Sequence, residues 1–158
     1  MTDGHVDCFH FRPIFRLKLV VAVPDFPLST RMARKVLPEE VPLKDAIFNV
    51  GRASMLVAAL TRGNERFLRH AFDDALHQPY RAKLIPGMYD VFAAARAAGA
   101  AGVTLSGAGP CLIAYVLERR HVEEAVGKAM QEAFRKHGVK SRILTLDLDT
   151  RGAHLLRK

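Results

Sequence analysis

The chain has 158 residues, 49% of them hydrophobic, which is one domain's worth of sequence with enough apolar content for a core. No run of about 18 apolar residues occurs, so no membrane-crossing helix is expected. Its 24 basic and 16 acidic residues give a net charge of +8. The basic residues are scattered, however, without an RNP signature, zinc spacing or interleaved aromatics, so they read as solubility and nucleic-acid binding is not expected. Met1 to Asp7 shows no secretory signal, and the two cysteines, Cys8 and Cys111, form no CxxC pair. A reducing, cytoplasmic setting follows from that cysteine usage.

Residues 1–14 read as an irregular N-terminal segment, apolar at Phe9, Phe11 and Ile14. Phe15 to Pro24 alternates and then becomes continuously apolar, as a buried strand does. After the turn Asp25 to Leu28, Ser29 or Thr30 caps a short helix that Pro38 ends. Thr30 and Arg34, four apart, share a face of that helix. Leu43 to Thr61 predicts a long helix with an apolar set at Leu43, Ile47, Val50, Val57 and Leu60. Asp45, Asn49 and Arg52 form its polar stripe, which reads as a solvated face or a support for neighbouring loops.

Gly63-Asn64 breaks that helix. A second follows, with Phe67, Leu68, Ala71, Phe72, Ala75 and Leu76 on one face, ending at Gln78-Pro79. Met88 to Ala98 predicts a third, burying Met88, Val91, Phe92 and Ala95, with Gly99 at its C-terminal cap. Two short strands, Gly102 to Leu105 and Cys111 to Leu117, flank a glycine loop. His121 to His137 is a further amphipathic helix, and Ser141 to Leu148 alternates as a last strand. The main domain is thus 15–150, followed by a basic tail, 151–158. Collapsing the extra helices leaves βαββαβ, so the fold class expected is α+β, ferredoxin-like with a split βαβ.

The loop Ser106-Gly107-Ala108-Gly109-Pro110 has two readings. Two glycines let successive backbone N–H groups face one way and form an anion-binding concavity, with the Ser106 hydroxyl beside it. A bare S-G-x-G between strands is more commonly a plain hairpin loop. Asp74 and His77, at i and i+3, read as hydrogen-bonding residues of the turn at Pro79-Tyr80 rather than as half a metal site, because no second such pair exists. Cys111, in an apolar setting with no base nearby, is not expected to act as a nucleophile.

Four segments in order resemble the C-terminal half of the homoserine kinases, in the GHMP small-molecule kinase superfamily. They are Val21 to Thr30 with Ala33-Arg34 and Leu37-Pro38, then Asp45 to Asn49 with Arg52, then Asp74-Ala75-Leu76-His77-Gln78-Pro79-Tyr80-Arg81, then Ser106 to Pro110. The last matches the third motif of the superfamily. The resemblance implies ATP-dependent phosphorylation of the side-chain hydroxyl of L-homoserine, a step of threonine biosynthesis. It implies that Arg34 and Arg81, with Thr30, hold the amino-acid carboxylate, and that Ser106, Gly107, Ala108 and Gly109 shape the cleft. Planar, permanently charged guanidinium groups suit a carboxylate.

Family members also carry an N-terminal phosphate-binding loop of the type P-x-x-x-G-L-G-S-S-A, together with the magnesium ligands. Nothing in residues 1–158 resembles that loop. ATP and Mg2+ are therefore cofactors of the parent family that this chain alone is not expected to hold well. No catalytic or metal-binding residue is assigned, and the chain alone is expected to be inactive, because phosphoryl transfer rests on positioning and charge neutralisation. Its expected partners are L-homoserine, a separate N-terminal kinase half and a second copy of itself. An apolar patch left uncovered would invite self-association, with Phe9, Phe11, Ile14 and Phe15 as candidates to cover part of it. Two other functions fit the same residues: a stand-alone amino-acid-binding module working through Arg34 and Arg81, and a structural remnant that only oligomerises.

Overall fold

A computed structural model of the chain describes residues 12–152. The first strand, β1 (Leu17–Pro24), is followed by five helices: α1 (Thr30–Lys35), α2 (Leu43–Arg62), α3 (Glu65–Ala71), α4 (Gln78–Arg81) and α5 (Met88–Ala97). Then come β2 (Gly102–Leu105), β3 (Leu112–Leu117), α6 (Glu123–Lys136) and β4 (Ser141–Asp147). The strands form one antiparallel sheet in the order β2-β3-β1-β4. That is the arrangement the split βαβ pattern predicts, with the first and third strands central.

Register places the two faces. Val20 lies opposite Ala114 and Thr145, and Val103 opposite Ala114. On this face Val20, Ala22, Val103, Leu112, Ala114 and Val116 pack with α5 and α6 through Val91, Phe92, Val126, Met130 and Phe134 in the main core. Both helices follow the periodicity expected of them. Burying side chains such as Phe134, which is fully enclosed, is each worth about 1.5–3 kcal/mol.

The other face carries a smaller core, in which Leu17, Leu117, Ala101, Leu68, Phe72 and Ala59 meet, with Phe15 at the margin. It is covered by α3 and by the C-terminal part of α2. Phe72 stacks on Tyr115 at 4.3 Å between centroids, directly over Gly102. A Cβ at Gly102 would lie 1.8 Å from the Phe72 ring, so only glycine fits. Gly102→Ala should therefore lower stability by about 3 kcal/mol, the upper end for overpacking, measurable as a drop in thermal midpoint.

Two expectations change. Gln78-Pro79 does not end a helix: α3 stops at Ala71, and Pro79 lies in the first turn of α4, where a missing N–H costs nothing. The larger change is in α2, where of the expected apolar set only Leu60 packs into the smaller core. Leu43, Ile47, Val50 and Val57 are 76%, 62%, 68% and 47% exposed, whereas Asn49 and Arg52 turn inward with Leu56 and Ala59. Asn49 does so because the segment before α4 presents it with hydrogen-bonding partners. Of the apolar residues expected to cover an open patch, Phe9 and Phe11 lie outside the described residues. Ile14 packs over Gly63 and donates its N–H to the Leu60 carbonyl.

Candidate functional site

Three pieces of chain meet at the end of the sheet where β1 finishes and β3 begins. The first is α1. Ser29, not Thr30, is its cap, accepting the Met32 N–H at 3.2 Å, so the Thr30 hydroxyl is not used for capping. Thr30 and Arg34 are both exposed one turn apart. The Arg34 side chain has no hydrogen bond or ion pair among the described residues. Only Ala33 of this helix is buried, which anchors the helix and leaves its polar side chains outside.

The second piece is the loop between β2 and β3. Ser106 N–H donates to Cys111 O and Gly109 N–H to Ser106 O, closing a tight turn with a cis Gly109–Pro110 bond. Gly107 (φ 58°) and Gly109 (φ 92°) occupy the left-handed region that side chains disfavour. At Gly109 a Cβ would also press on Ile85 and Leu105. This turn geometry is what the S-G-x-G spacing requires.

The third piece, α4, joins the other two. Arg81 donates from Nε to Ala33 O at 3.1 Å and from Nη1 to Gly107 O at 3.0 Å, with His77 Nδ1 3.3 Å from the same nitrogen. One guanidinium therefore links the α1 backbone to the glycine loop. Its Nη2 has no partner among the described residues, and Arg34 springs from the residue next to Ala33. The two arginines thus stand on segments that Arg81 ties together, and planar guanidinium groups are donors suited to a carboxylate.

Behind Arg81 lies a polar network that periodicity and motif spacing revealed only in part. Asp74, its side chain 8% exposed, accepts from Asn49 Nδ2 at 2.7 Å, His77 N–H at 2.9 Å and Gln78 N–H at 2.6 Å. Asn49 Oδ1 in turn takes the Ala75 N–H at 2.8 Å. Gln78, a buried polar residue, accepts the Leu105 N–H at 2.8 Å, just where the glycine loop begins. Beside this network Arg52 stacks on Phe48 at 4.4 Å, and its buried Nε has no hydrogen-bond partner among the described residues. Asp74 hydrogen-bonds within the turn, as its i, i+3 spacing with His77 suggested, and Asn49 supports a neighbouring loop, but nothing in the sequence said that these two segments touch.

Burial pushes the Asp74 carboxyl up, but the hydrogen bonds from Gln78, Asn49 and His77 outweigh it and hold the group below the usual 3.8. Burial lowers His77 below 6.5, and the Arg81 charge adds to that against the opposing pull of Asp74. Both groups bind protons less tightly folded than unfolded, so acid destabilises the fold: as pH falls below 6.5 through His77, and below 3.8 through Asp74. Thermal unfolding from pH 8 to pH 3 should show a His77→Gln variant losing less stability than the original between pH 7 and pH 5.

A depression of about 530 Å³ lined by Ile14, Arg16, Lys18 and Glu118 lies at the opposite end of the sheet and shares no residue with this site. Among the described residues no group of three or more His, Cys, Asp or Glu could hold a metal ion. No helix of the described residues is long and apolar enough to cross a membrane.

The family described as GHMP kinases C terminal matches residues 55–136, and the chain belongs to it. Within that family its similarity is to homoserine kinases. That of Persephonella marina is 49% identical over 139 residues, which are 88% of this chain and 45% of the relative. That of Moorella thermoacetica is 50% identical over 137 residues, 87% of this chain and 45% of the relative. The crystal structure of homoserine kinase from Cytophaga hutchinsonii superimposes with a TM-score of 0.82 at 29% identity, over 88% of this chain and 44% of that one. The phosphomevalonate kinase of Streptococcus pneumoniae shares the fold, at a TM-score of 0.58 and 15% identity over 87% of this chain and 42% of that one. The chain spans less than half the length of the curated relatives it matches.

Proposed function

We propose that this chain is the substrate-carboxylate side of an ATP-dependent kinase that phosphorylates the hydroxyl of L-homoserine in threonine biosynthesis. The observation that carries the reading is Arg81, held between Ala33 O and Gly107 O with Nη2 unused and Arg34 adjacent. In this reading Arg34 and the Nη2 edge of Arg81 bind the carboxylate, and Thr30 adds a hydroxyl one turn from Arg34. The glycine loop, fixed by Arg81, closes one wall of the cleft. The similarity to homoserine kinases supplies the substrate.

The described residues do not fit magnesium-ATP by themselves. The one carboxylate named at the site, Asp74, is enclosed and already accepts three hydrogen bonds, and among the described residues no group of three or more His, Cys, Asp or Glu stands ready for a metal. No phosphoryl-transfer step is therefore assigned to residues of this chain. The nucleotide and metal belong to the remainder of the kinase, and the open apolar stripe of α2 is the surface that remainder covers.

Two measurements test this. Calorimetry with L-homoserine should detect binding that an Arg34→Ala variant loses. A coupled ADP-release assay with ATP, Mg2+ and L-homoserine should show no turnover by the chain alone. Normal turnover would overturn the division of labour, and absence of L-homoserine binding would overturn the carboxylate site. Binding that selects an amino acid with no kinase activity in any complemented mixture would favour a stand-alone binding module.

A further inference from the structure

Arg81 stands on a helix of four residues, too short to hold its own shape. Side chains from elsewhere fix it. At its start, Asp74 accepts the N–H groups of His77 and Gln78, and Asn49 of α2 clamps both Asp74 and the Ala75 N–H. At its front, Gln78 ties it to Leu105 at the root of the glycine loop. We propose that Asp74, braced by Asn49, is the positioning residue of the carboxylate site, setting α4 so that Arg81 reaches Ala33 O and Gly107 O together. The proposal rests on the reading of Arg81 as a carboxylate ligand, but its geometric half stands without it.

The reasoning is one of reach and redundancy. Arg81 satisfies two backbone carbonyls on different segments at 3.1 and 3.0 Å. A displacement of α4 by about 1 Å breaks one of them and shifts the free Nη2 edge, and misplacement on that scale is costly in a binding site. No apolar side chain on α4 fixes its rotation, since its one buried residue is Gln78. The Asp74 carboxylate is the acceptor that can serve two successive N–H groups and the Asn49 amide together; an amide in its place loses one of these acceptor positions.

The test compares the chain with Asp74→Asn and Asn49→Ala variants. Nuclear magnetic resonance measures hydrogen exchange at the Arg81 Nε–H and Leu105 N–H against amides of β1 and β3, and calorimetry measures L-homoserine affinity. Both variants should speed exchange at Arg81 and Leu105 at least tenfold, leave the sheet amides within twofold, and weaken L-homoserine binding about tenfold. Unchanged exchange at Arg81, or equal acceleration throughout the sheet, would overturn the positioning role. If Asp74→Asn fails to fold, Asn49→Ala decides, because it removes only the brace. Should the original chain bind no L-homoserine, the carboxylate reading falls, while the exchange data still decide whether Asp74 places Arg81.

Discussion

Arg81→Ala is expected to abolish measurable L-homoserine binding and to lower the stability of the chain by about 2–4 kcal/mol. Two charge-assisted hydrogen bonds to backbone carbonyls disappear, each worth about 1.5–3 kcal/mol where the group is partly enclosed. The Gly107 and Ala33 carbonyls regain water in part, so the loss falls short of the full sum. For a chain of this size about 3 kcal/mol corresponds to a fall of roughly 6–12 °C in the thermal midpoint. Arg81→Lys should resemble the alanine variant more than the original. A lysine keeps the charge but has a single nitrogen, which cannot span both carbonyls and still present a free edge to a carboxylate. Thermal unfolding and calorimetry on the two variants check this. A lysine variant with unaltered binding would mean that charge alone matters and that the bridge is incidental.

The sheet and the helices packed on it were legible because periodicity and packing agree there. The alternating and then continuous apolar run of β1, and the amphipathic spacing of α6 that puts Val126, Ala133 and Phe134 in the core, report a face that the chain itself buries. In α2 the same signal misled. Hydrophobic spacing identifies an apolar face without saying what covers it, and here Leu43, Ile47 and Val50 are left open. The helix instead turns inward the residues that hydrogen-bond, because the Ala75 N–H and the Asp74 carboxylate lie beneath Asn49. Pro79 was open to two readings, since proline both follows helices and opens them.

The candidate site was legible in part. Thr30, Arg34, Arg81 and the glycine loop could be named from their matched segments, and the fold brings Arg34, Arg81 and Gly107 to one end of the sheet. What holds them there was legible only locally, in the reading of Asp74 as a turn residue and in loop support as one reading of Asn49. The Asn49–Asp74 and Gln78–Leu105 contacts join residues 25 and 27 apart, and no local pattern encodes such pairings. Nor does the sequence show that Arg81 spends two of its nitrogens on backbone carbonyls, which limits how a carboxylate can be bound.

The open face of α2 carries the second large expectation. Ile47, Val50 and Val57 follow one another at spacings of three and seven, with Leu43 a turn before, and Gly51, Ala53, Ser54 and Ala58 beside them are exposed and uncharged. Contiguous apolar surface of this kind is uncommon on a monomer and favours burial against a partner. At about 25 cal/mol per Å² of apolar area covered, burying the stripe against another surface is strongly favourable. In a solution of this chain alone, the available surface is that of another copy. Sedimentation of the chain should show mass rising with concentration, and an Ile47→Glu, Val50→Glu double variant should stay monomeric over the same range. The substitutions lie in solvent on a helix that tolerates glutamate well, so the thermal midpoint of dilute protein should move little. Mass independent of concentration in the original chain would contradict this. A large loss of stability in the dilute variant would show that these side chains are packed within the chain after all.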